Sequence, residues 1–264
     1  HQFGLFAEEN FTWSMGERDL RIQAGMRFDH ASKVGSTWSP RFNASFDLIP
    51  RALTLSGGYG ITAKMPTLLY LYPEKAYFEY VNINELANES IPENERLFMT
   101  TTKVYDTENR NLKVSKNHKA EIGLRLNVGK VSASVTAFQE RLKNGYSLDY
   151  TFDTFNTFMY NEYTRDANGD LILASSLPVL NSFYTPTNNL NVETQGLEFD
   201  INIGRLEAIR TAFQLNGAWM RTKSWSDSYN FYDNSGTSAS SRKPVAIYEA
   251  GTSKSYRQQF ATTL

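Results

Sequence analysis

The chain has 264 residues, a formal net charge of −1 and no cysteine. Balanced charge argues against a nucleic-acid-binding protein, which normally carries a basic surplus, and the absence of cysteine excludes a disulfide scaffold, a thiolate metal site and a cysteine nucleophile. No run of 18 apolar residues is present, so we expect no membrane-spanning helix. A transmembrane barrel stays open as an interpretation, because it exposes only alternate residues to lipid.

Several segments alternate apolar and polar residues with period two, which predicts β-strands with two unlike faces. The opening stretch, 3–13, alternates imperfectly because Glu9 falls in its apolar phase, and a β-bulge would explain this. The clearest alternation lies at 20–28, 38–48, 119–128 and 197–203. Weaker alternation lies at 53–61, 131–138 and 209–221. The pattern predicts about eight or nine antiparallel strands.

The connections between these strands alternate between short and long. Short connections are expected at about 14–19, 49–52, 129–130 and 204–208, and long ones at about 31–37, 62–117, 142–190 and 223–257. In an up-and-down sheet, alternate connections lie on the same side, so one rim has tight turns and the other has long loops. The two-residue link Gly129-Lys130 predicts that Val128 pairs with Val131, and the link 49–52 predicts that Leu48 pairs with Leu53.

Strand length and aromatic placement favour a membrane barrel. The clear strands run about 10–13 residues, whereas typical globular strands have ~5–6 and tilted transmembrane strands need ~9–11. Aromatic residues lie near strand ends, where a bilayer has its aromatic girdles; they are Trp13, Phe28, Trp38, Tyr59 and Trp219. A soluble barrel or sandwich with its apolar face inward has the same period-two pattern and remains the alternative.

The ends of the chain resemble cut points. The chain begins at His1 with no initiator methionine and no signal peptide, and residues 260–264 look like the start of a further strand. We therefore expect a segment of a longer protein.

The motifs resemble those of the barrel domain of TonB-dependent outer-membrane receptors. The similar stretches are SPRFNASFDL at 39–48, LTLSGGYG at 53–60, AKMPTLLYLYP at 63–73, NRNLK at 109–113, HKAEIGLRL at 118–126, VETQGLEF at 192–199 and NGAWMRTK at 216–223. They cover most of residues 1–222, and their order and spacing together carry the resemblance. Their character is that of Bacteroidetes receptors close to the SusC/RagA-like transporters.

This resemblance implies a transmembrane β-barrel of about 22 strands with an N-terminal plug inside it. Residues 1–264 would be a segment of that barrel, lacking the plug, the TonB box and the terminal strands. The whole protein would carry out TonB-dependent uptake of a nutrient across the outer membrane, with cargo bound at the loops and plug. Implied partners are outer-membrane lipid, the protein's own plug, the TonB–ExbB–ExbD complex and a SusD-like surface lipoprotein. The resemblance favours an oligosaccharide or a peptide as cargo, with a siderophore or cobalamin as the alternative.

Other chemistry has little support in the sequence. A hydrolase needs a nucleophile and a base within reach, and the histidines are the terminal His1 and the strand-end residues His30 and His118. Gly57–Gly60 is followed by no Gly-Lys-Ser/Thr, so it does not form a phosphate loop. The stretch 166–170 begins like a calcium loop but has Leu177 at its twelfth position, so Asn168-Gly169 is better read as a hairpin turn. We therefore expect that the protein is not an enzyme and that it binds no metal ion or cofactor.

Aromatic residues in the long loops are the candidate cargo-binding residues. Beside Asn, Asp and Arg they offer an apolar plane with a polar edge, which suits sugars or peptide side chains. The candidates are Tyr70, Tyr72, Tyr77, Tyr80, Tyr146, Tyr150, Tyr160, Trp225, Tyr229 and Tyr232. The alternative is that they pack the loops against each other, since loops of this length need a core of their own.

Three rival functions remain open at this point. The first is a passive porin or an outer-membrane anchor barrel, which would have no plug domain. The second is a soluble β-sheet binding module, which would be monodisperse without detergent. The third is an outer-membrane hydrolase, whose activity would depend on His30 or His118.

Overall fold

A computed structural model describes residues 1–233, 245–249 and 254–263, and this part of the chain is almost entirely β-structure. The strands are β1 (Gln2–Met15), β2 (Arg18–Ala31), β3 (Gly35–Ile49), β4 (Leu53–Lys64), β5 (Ala76–Asn84), β6 (Phe98–Tyr105), β7 (Ser115–Val128), β8 (Val131–Asp149), β9 (Phe155–Arg165), β10 (Leu171–Ser182), β11 (Thr185–Leu206), β12 (Thr211–Ser226), β13 (Asn230–Asp233), β14 (Val245–Tyr248) and β15 (Lys254–Thr263). The helical elements are one α-helical turn, α1 (Leu68–Leu71), and 3₁₀ turns at Glu93–Glu95 and Phe152–Thr154. In the described ranges, no helix is long or apolar enough to cross a membrane.

Nine strands form one antiparallel sheet in the order β1-β2-β3-β4-β7-β8-β11-β12-β15. Each strand pairs with the next sheet strand along the chain, which is the up-and-down arrangement predicted from the sequence. The other six strands form three separate hairpins, β5–β6, β9–β10 and β13–β14. Each hairpin lies within a connection between neighbouring sheet strands. The predicted all-β class, antiparallel topology and strand number are confirmed.

One rim of the sheet carries the short turns. Val128 pairs with Val131 across Gly129-Lys130, as predicted. The predicted pairing of Leu48 with Leu53 is wrong, because Ile49 pairs with Leu53 beside a register shift. The turn closes over three residues, with Arg51 at a φ of 61° and the Ala52 amide donating to the Ile49 carbonyl at 3.1 Å.

The opposite rim carries three long connections and one tight turn. The predicted long connection at 31–37 is wrong: β2 ends at Ala31 and β3 begins at Gly35, and the Val34 amide donates to the Ala31 carbonyl at 3.1 Å. Ser36 and Thr37, polar enough to suggest a loop, belong to β3 and pair with His30 and Asp29. Thr37 continues the polar face of the sheet with Asp29, whereas Ser36 lies on the opposite face with His30. The long connections are at 65–114, 150–184 and 227–253. They are shorter than predicted because the sheet strands extend further.

The apolar face of the sheet is bare. Leu5, Phe11 and Ile122 are 68%, 58% and 58% exposed, respectively. Buried hydrophobic residues in the described ranges are few and lie at a strand end or in the long connections; they are Ala31, Ile83, Leu112 and Val114. A soluble sandwich would cover such a face with a second layer. The bare face therefore favours the membrane barrel over the soluble alternative.

The polar face is concave. Side chains from six neighbouring strands, β1 to β4, β7 and β8, line one open cavity of about 580 Å³ on this face. Ion pairs lie on this face. Arg21 Nη2 of β2 lies 3.0 Å from Asp47 Oδ2 of β3, and Lys119 Nζ lies 2.9 Å from Glu121 Oε2 within β7. A sheet that curves around its charged face and turns its apolar face outward has the arrangement of a transmembrane barrel wall.

Glu9 lies on the apolar face without any bulge. Strands β1 and β2 pair in unbroken register from Gln2–Ala31 to Met15–Arg18, and Glu9 lies opposite Ala24. The suggested bulge is therefore wrong. Its neighbour Glu8 points the other way, into the concave cavity, and accepts a hydrogen bond from Gln23 at 2.7 Å.

Candidate functional site

The long connections are built from hairpins rather than irregular loops. The predicted Asn168-Gly169 turn is confirmed and lies at the tip of β9 and β10, where Arg165 pairs with Leu171. One oxygen of Asp166 accepts the amide hydrogens of Asn168 and Asp170, each at 2.9 Å. The acidic side chain therefore closes the turn. Within the described ranges, no three or more His, Asp or Glu side chains are grouped closely enough to hold a metal ion.

Hairpins β5–β6 and β9–β10 pack against each other through aromatic rings. The Tyr80 ring lies 5.1 Å from Phe158 and 5.5 Å from Tyr160, measured between ring centroids. The Tyr80 hydroxyl donates to the side-chain oxygen of Asn181, which is 1% exposed. Burial, followed by the neighbouring Tyr105, raises the pKa of Tyr80. We call residues 65–114 and 150–184 the loop unit.

A buried ion pair joins the same two hairpins. Arg165 holds Glu85 with two hydrogen bonds, of 2.8 and 3.0 Å, and also donates to the Glu95 carbonyl at 2.7 Å. The Glu85 side chain is only 10% exposed. Hydrogen bonding from Arg165 lowers the pKa of Glu85, so this carboxyl stays ionised in the folded loop unit.

Amide side chains attach the loop unit to the start of β11. Asn188 accepts the Lys113 amide hydrogen at 2.6 Å and donates to the Lys113 carbonyl at 2.9 Å. Asn109 donates to the Pro186 carbonyl at 2.8 Å, and Thr185 donates to the Thr107 carbonyl at 2.8 Å. These contacts fix the end of the first long connection to the start of β11.

A second aromatic cluster joins the loop unit to the segment after β12. Tyr150 stacks on Tyr184 at 4.2 Å. The Phe155 ring lies 4.9 Å from Phe231, and the Phe152 ring lies 5.2 Å from Tyr229. The three long connections are therefore in contact with one another.

Five of the ten candidate residues, all of them tyrosines, pack against other side chains. Tyr80, Tyr160 and Tyr150 lie in the clusters described above. Tyr70 lies against Tyr146 at 5.2 Å, and the Tyr146 hydroxyl lies 2.9 Å from both the Lys64 and Lys113 carbonyls. Each of these five rings contacts another aromatic ring, as expected if the loop aromatics pack against each other.

Three candidates are exposed: Tyr77 (68%), Tyr72 (61%) and Tyr229 (48%). The ring of Tyr72 lies 3.9 Å from the ammonium of Lys33. The placement of Trp225 in a loop is wrong, because it lies in β12, paired with Asn191 and on the same face as Trp219. The backbone of Tyr232 lies in β13, and its side chain falls outside what the structure describes.

Sequence reasoning missed several residues of this surface. Asn181, Glu85 and Arg165 connect the hairpins, yet each lies in a stretch with no motif. Tyr184 is 53% exposed and stacks on Tyr150. It lies inside the predicted long connection 142–190, so the criterion that selected Tyr150 would also have found it.

The family match covers almost the whole chain. Residues 1–256 match the family described as TonB dependent receptor-like, beta-barrel. The ferric enterobactin receptor of Pseudomonas aeruginosa is 30% identical over 142 residues, which are 54% of this chain and 17% of that protein.

Solved structures show the same fold. The siderophore receptor PirA from Acinetobacter baumannii superposes with a TM-score of 0.54 and 18% identity, over 97% of this chain and 38% of that receptor. PirA from Pseudomonas aeruginosa superposes with a TM-score of 0.51 and 18% identity, over 99% of this chain and 41% of that receptor. The chain therefore spans well under half the length of these relatives. With its bare apolar wall, charged concave face and long-loop rim, it belongs to the TonB-dependent receptor-like β-barrel family of outer-membrane proteins.

Proposed function

We propose that the whole protein is a TonB-dependent transporter that takes up a nutrient across the outer membrane, and that it is not an enzyme. The observation that carries this proposal is the sheet itself. One face of the sheet is apolar and bare, the other is charged and concave, and the long loops lie at one rim. In this proposal, residues 1–264 form part of the wall, and the plug and remaining strands belong to other parts of the protein.

The concave face is suited to hold a polar plug. Arg41 and Arg125 line its cavities and, unlike Arg21 and Arg27, form no ion pair with a carboxylate in the described part of the chain. Charged groups that stay exposed in an aqueous lumen are available to a plug that fills it. We propose that the plug contacts this face and is rearranged when the TonB–ExbB–ExbD complex pulls on it.

Our first proposal for the cargo is an oligosaccharide or a peptide, recognised through exposed loop tyrosines. Tyr72, Tyr77 and Tyr229 present apolar planes at the long-loop rim, which suits sugar faces and peptide side chains. The second candidate is a ferric siderophore, favoured by the 30% identity to a ferric enterobactin receptor. Cobalamin is a third, supported only by the wider family resemblance.

A surface lipoprotein of the SusD type is proposed as a lid, together with membership of the SusC/RagA-like group. The support for both is the motif resemblance at 39–73 and 192–223. Copurification of the full-length receptor from its native outer membrane tests the lid. A stoichiometric lipoprotein partner is expected, and a receptor isolated alone from gently solubilised membranes would contradict it.

Uptake by cells carrying the full-length receptor tests the transport proposal. Labelled oligosaccharides, peptides, ferric siderophores and cobalamin are supplied with and without a functional TonB. We expect uptake of one of these classes that stops when TonB is deleted. Uptake that continues at the same rate without TonB would point to a passive porin instead.

Substitution of the exposed tyrosines tests the recognition surface. Tyr72→Ala, Tyr77→Ala and Tyr229→Ala together are expected to raise the Kd for the transported cargo at least about tenfold, since stacking on one aromatic ring contributes about 1 kcal/mol. The matched control is Tyr256→Ala, a tyrosine 58% exposed on the wall strand β15. Equal affinity of the triple variant and the control would remove these tyrosines from the binding site.

A further inference from the structure

A group of positive charges lies on the outward face of the sheet, near the long-loop rim. Three neighbouring pairs of strands bring these side chains to one face, β7 with β8, β8 with β11 and β11 with β12. The members are Lys116, Arg141, Lys143, Arg221 and Lys223. We call this set the basic belt.

The belt lies just beyond the aromatic residues that mark the membrane interface. Tyr59 pairs with Ala120, and the Tyr59 hydroxyl is 2.8 Å from the His118 ring, one step further toward the long-loop rim. On β12, Trp219 lies on the same face, two residues nearer the short-turn rim than Arg221. Aromatic girdles lie at head-group level in outer-membrane barrels, so the belt faces the head groups of the outer leaflet.

Like charges are placed directly opposite each other in the belt. Lys116 pairs with Lys143. Side chains so paired have Cβ atoms about 4.5–5.5 Å apart, and like charges at that spacing destabilise a sheet. An anion between them would turn this repulsion into attraction.

The chain itself supplies little neutralising charge. Glu193 is the carboxylate that lies opposite Arg141 and Lys223, and its Oε1 is 3.1 Å from Arg141 Nη2. In the described ranges, the other four cations of the belt form no ion pair within 4.0 Å. The set therefore carries four uncompensated positive charges where the barrel meets lipid.

The belt also lines a recess, and an apolar surface extends from this recess toward the short-turn rim. Tyr59, His118, Gln139, Arg141 and Lys143 line a shallow cavity of about 280 Å³. Ile122, Leu124 and Val135 continue the same face toward the short-turn rim, and all three are exposed. A ligand with an anionic head and apolar chains matches both parts.

We propose that the basic belt binds the phosphate groups of a phosphorylated lipid of the outer leaflet, of the lipid A type. The phosphates lie at Arg141 and Lys143, and the acyl chains lie along the apolar face below. This inference rests on the location of the barrel in the outer membrane and is independent of the transport proposal.

Titration of the full-length receptor with fluorescent diphosphorylated lipid A tests the proposal, with the receptor reconstituted in phosphatidylcholine nanodiscs. Arg141→Gln with Lys143→Gln is expected to weaken binding about 30-fold, because each cation near an anionic membrane surface contributes about a fivefold factor. The matched control is Lys130→Gln with Arg205→Gln, which removes the same charge at the short-turn rim and is expected to leave binding unchanged. Uptake remains the separate test of transport.

Three results would overturn the proposal. The receptor could bind lipid A without its two phosphates as tightly as diphosphorylated lipid A. The control variant could lose as much binding as the double variant, or inorganic pyrophosphate could displace the lipid at the same concentration as lipid A itself. If the double variant fails to insert, Lys143→Gln alone provides the test, with an expected weakening of about fivefold. Its side chain is exposed and makes no ion pair in the described residues.

Discussion

Glu9 is a carboxylate on the lipid-facing side of β1, between the aromatic residues Phe3 and Trp13 on the same face. Ionisable side chains on the lipid face of a barrel destabilise it in a depth-dependent way. We therefore expect Glu9→Leu to raise the free energy of unfolding of the full-length barrel by about 1–2 kcal/mol in lipid vesicles. Urea unfolding, followed by tryptophan fluorescence, measures this change.

Glu8→Leu is the matched control for this prediction. Glu8 faces the concave side and accepts a hydrogen bond from Gln23 at 2.7 Å, so its replacement is expected to give no stabilisation. A loss of stability in Glu9→Leu would contradict a lipid-facing position for Glu9.

Gly196 provides a second prediction at this scale. A Cβ atom at this position would lie 2.5 Å from the Trp219 carbonyl oxygen and 2.9 Å from the Phe138 ring. Because one of these neighbours is backbone, Gly196→Ala is expected to destabilise the barrel by about 1–3 kcal/mol. The control is Gly57→Ala, where the nearest atom lies at an ordinary 3.5 Å. Equal midpoints of urea unfolding for the two variants would contradict this packing argument.

The sequence could predict which face a residue occupies but not which partner it meets. Alternation alone placed Lys119 on the polar face, whereas for Glu9 it suggested a bulge that the structure does not have. Contacts such as Tyr80 with Asn181 join residues 101 positions apart, and no local pattern records such a distance. Trp225 was wrongly placed in a loop because β12 continues to Ser226 through polar residues.

At the scale of elements, the two long hairpins of the loop unit act as one body. Arg165 and Glu85 provide its pH-sensitive contact. Since the pKa of Glu85 is lowered in the folded state, the folded loop unit binds its proton less readily than the unfolded one. The stabilisation is present above the ordinary glutamate pKa of about 4.3 and is lost as the pH falls through the lowered value.

We therefore expect amide hydrogen exchange in β5 and β9 to accelerate when the pH falls below about 4, after correction for intrinsic rates. Arg165→Gln is expected to accelerate the same amides at neutral pH, since it leaves Glu85 buried without its partner. Arg110→Gln is the control, because Arg110 is 80% exposed and pairs with Glu108 only at the surface. Accelerated amide exchange in the control, or unchanged exchange rates in Arg165→Gln, would argue against a jointly stabilised loop unit.

Element by element, the sheet was more predictable than its loops. Period-two alternation and the turn Gly129-Lys130 located its strands and one register. Hairpins β5–β6 and β13–β14 went unpredicted because β5 and β6 do not alternate cleanly and β13 and β14 have only 4 residues each. The turn at 32–34 was missed because Ser36 and Thr37 look like loop residues, although both belong to β3 and only Thr37 lies on the polar face.

At the scale of the whole molecule, the orientation of the barrel wall depends on which face of the sheet meets lipid. The charged concave face and the bare apolar face are both exposed within this part of the chain, as expected when the rest of the barrel completes the wall. The family match over residues 1–256 and the TM-score of 0.54 to a siderophore receptor agree with an outward apolar face. The orientation of the basic belt, the loop unit and the concave cavity depends on this assignment.

Lipid accessibility along β7 measures this orientation most directly. Single cysteines are introduced at 121–126 in the full-length receptor, spin-labelled and measured in vesicles against lipid-soluble oxygen and a water-soluble nickel chelate; this chain contributes no native cysteine. We expect oxygen to be preferred at Ile122, Leu124 and Leu126, and the chelate to be preferred at Glu121, Gly123 and Arg125. Reversed alternation, or equal accessibility of all six positions to both reagents, would contradict a barrel wall whose apolar face meets the bilayer.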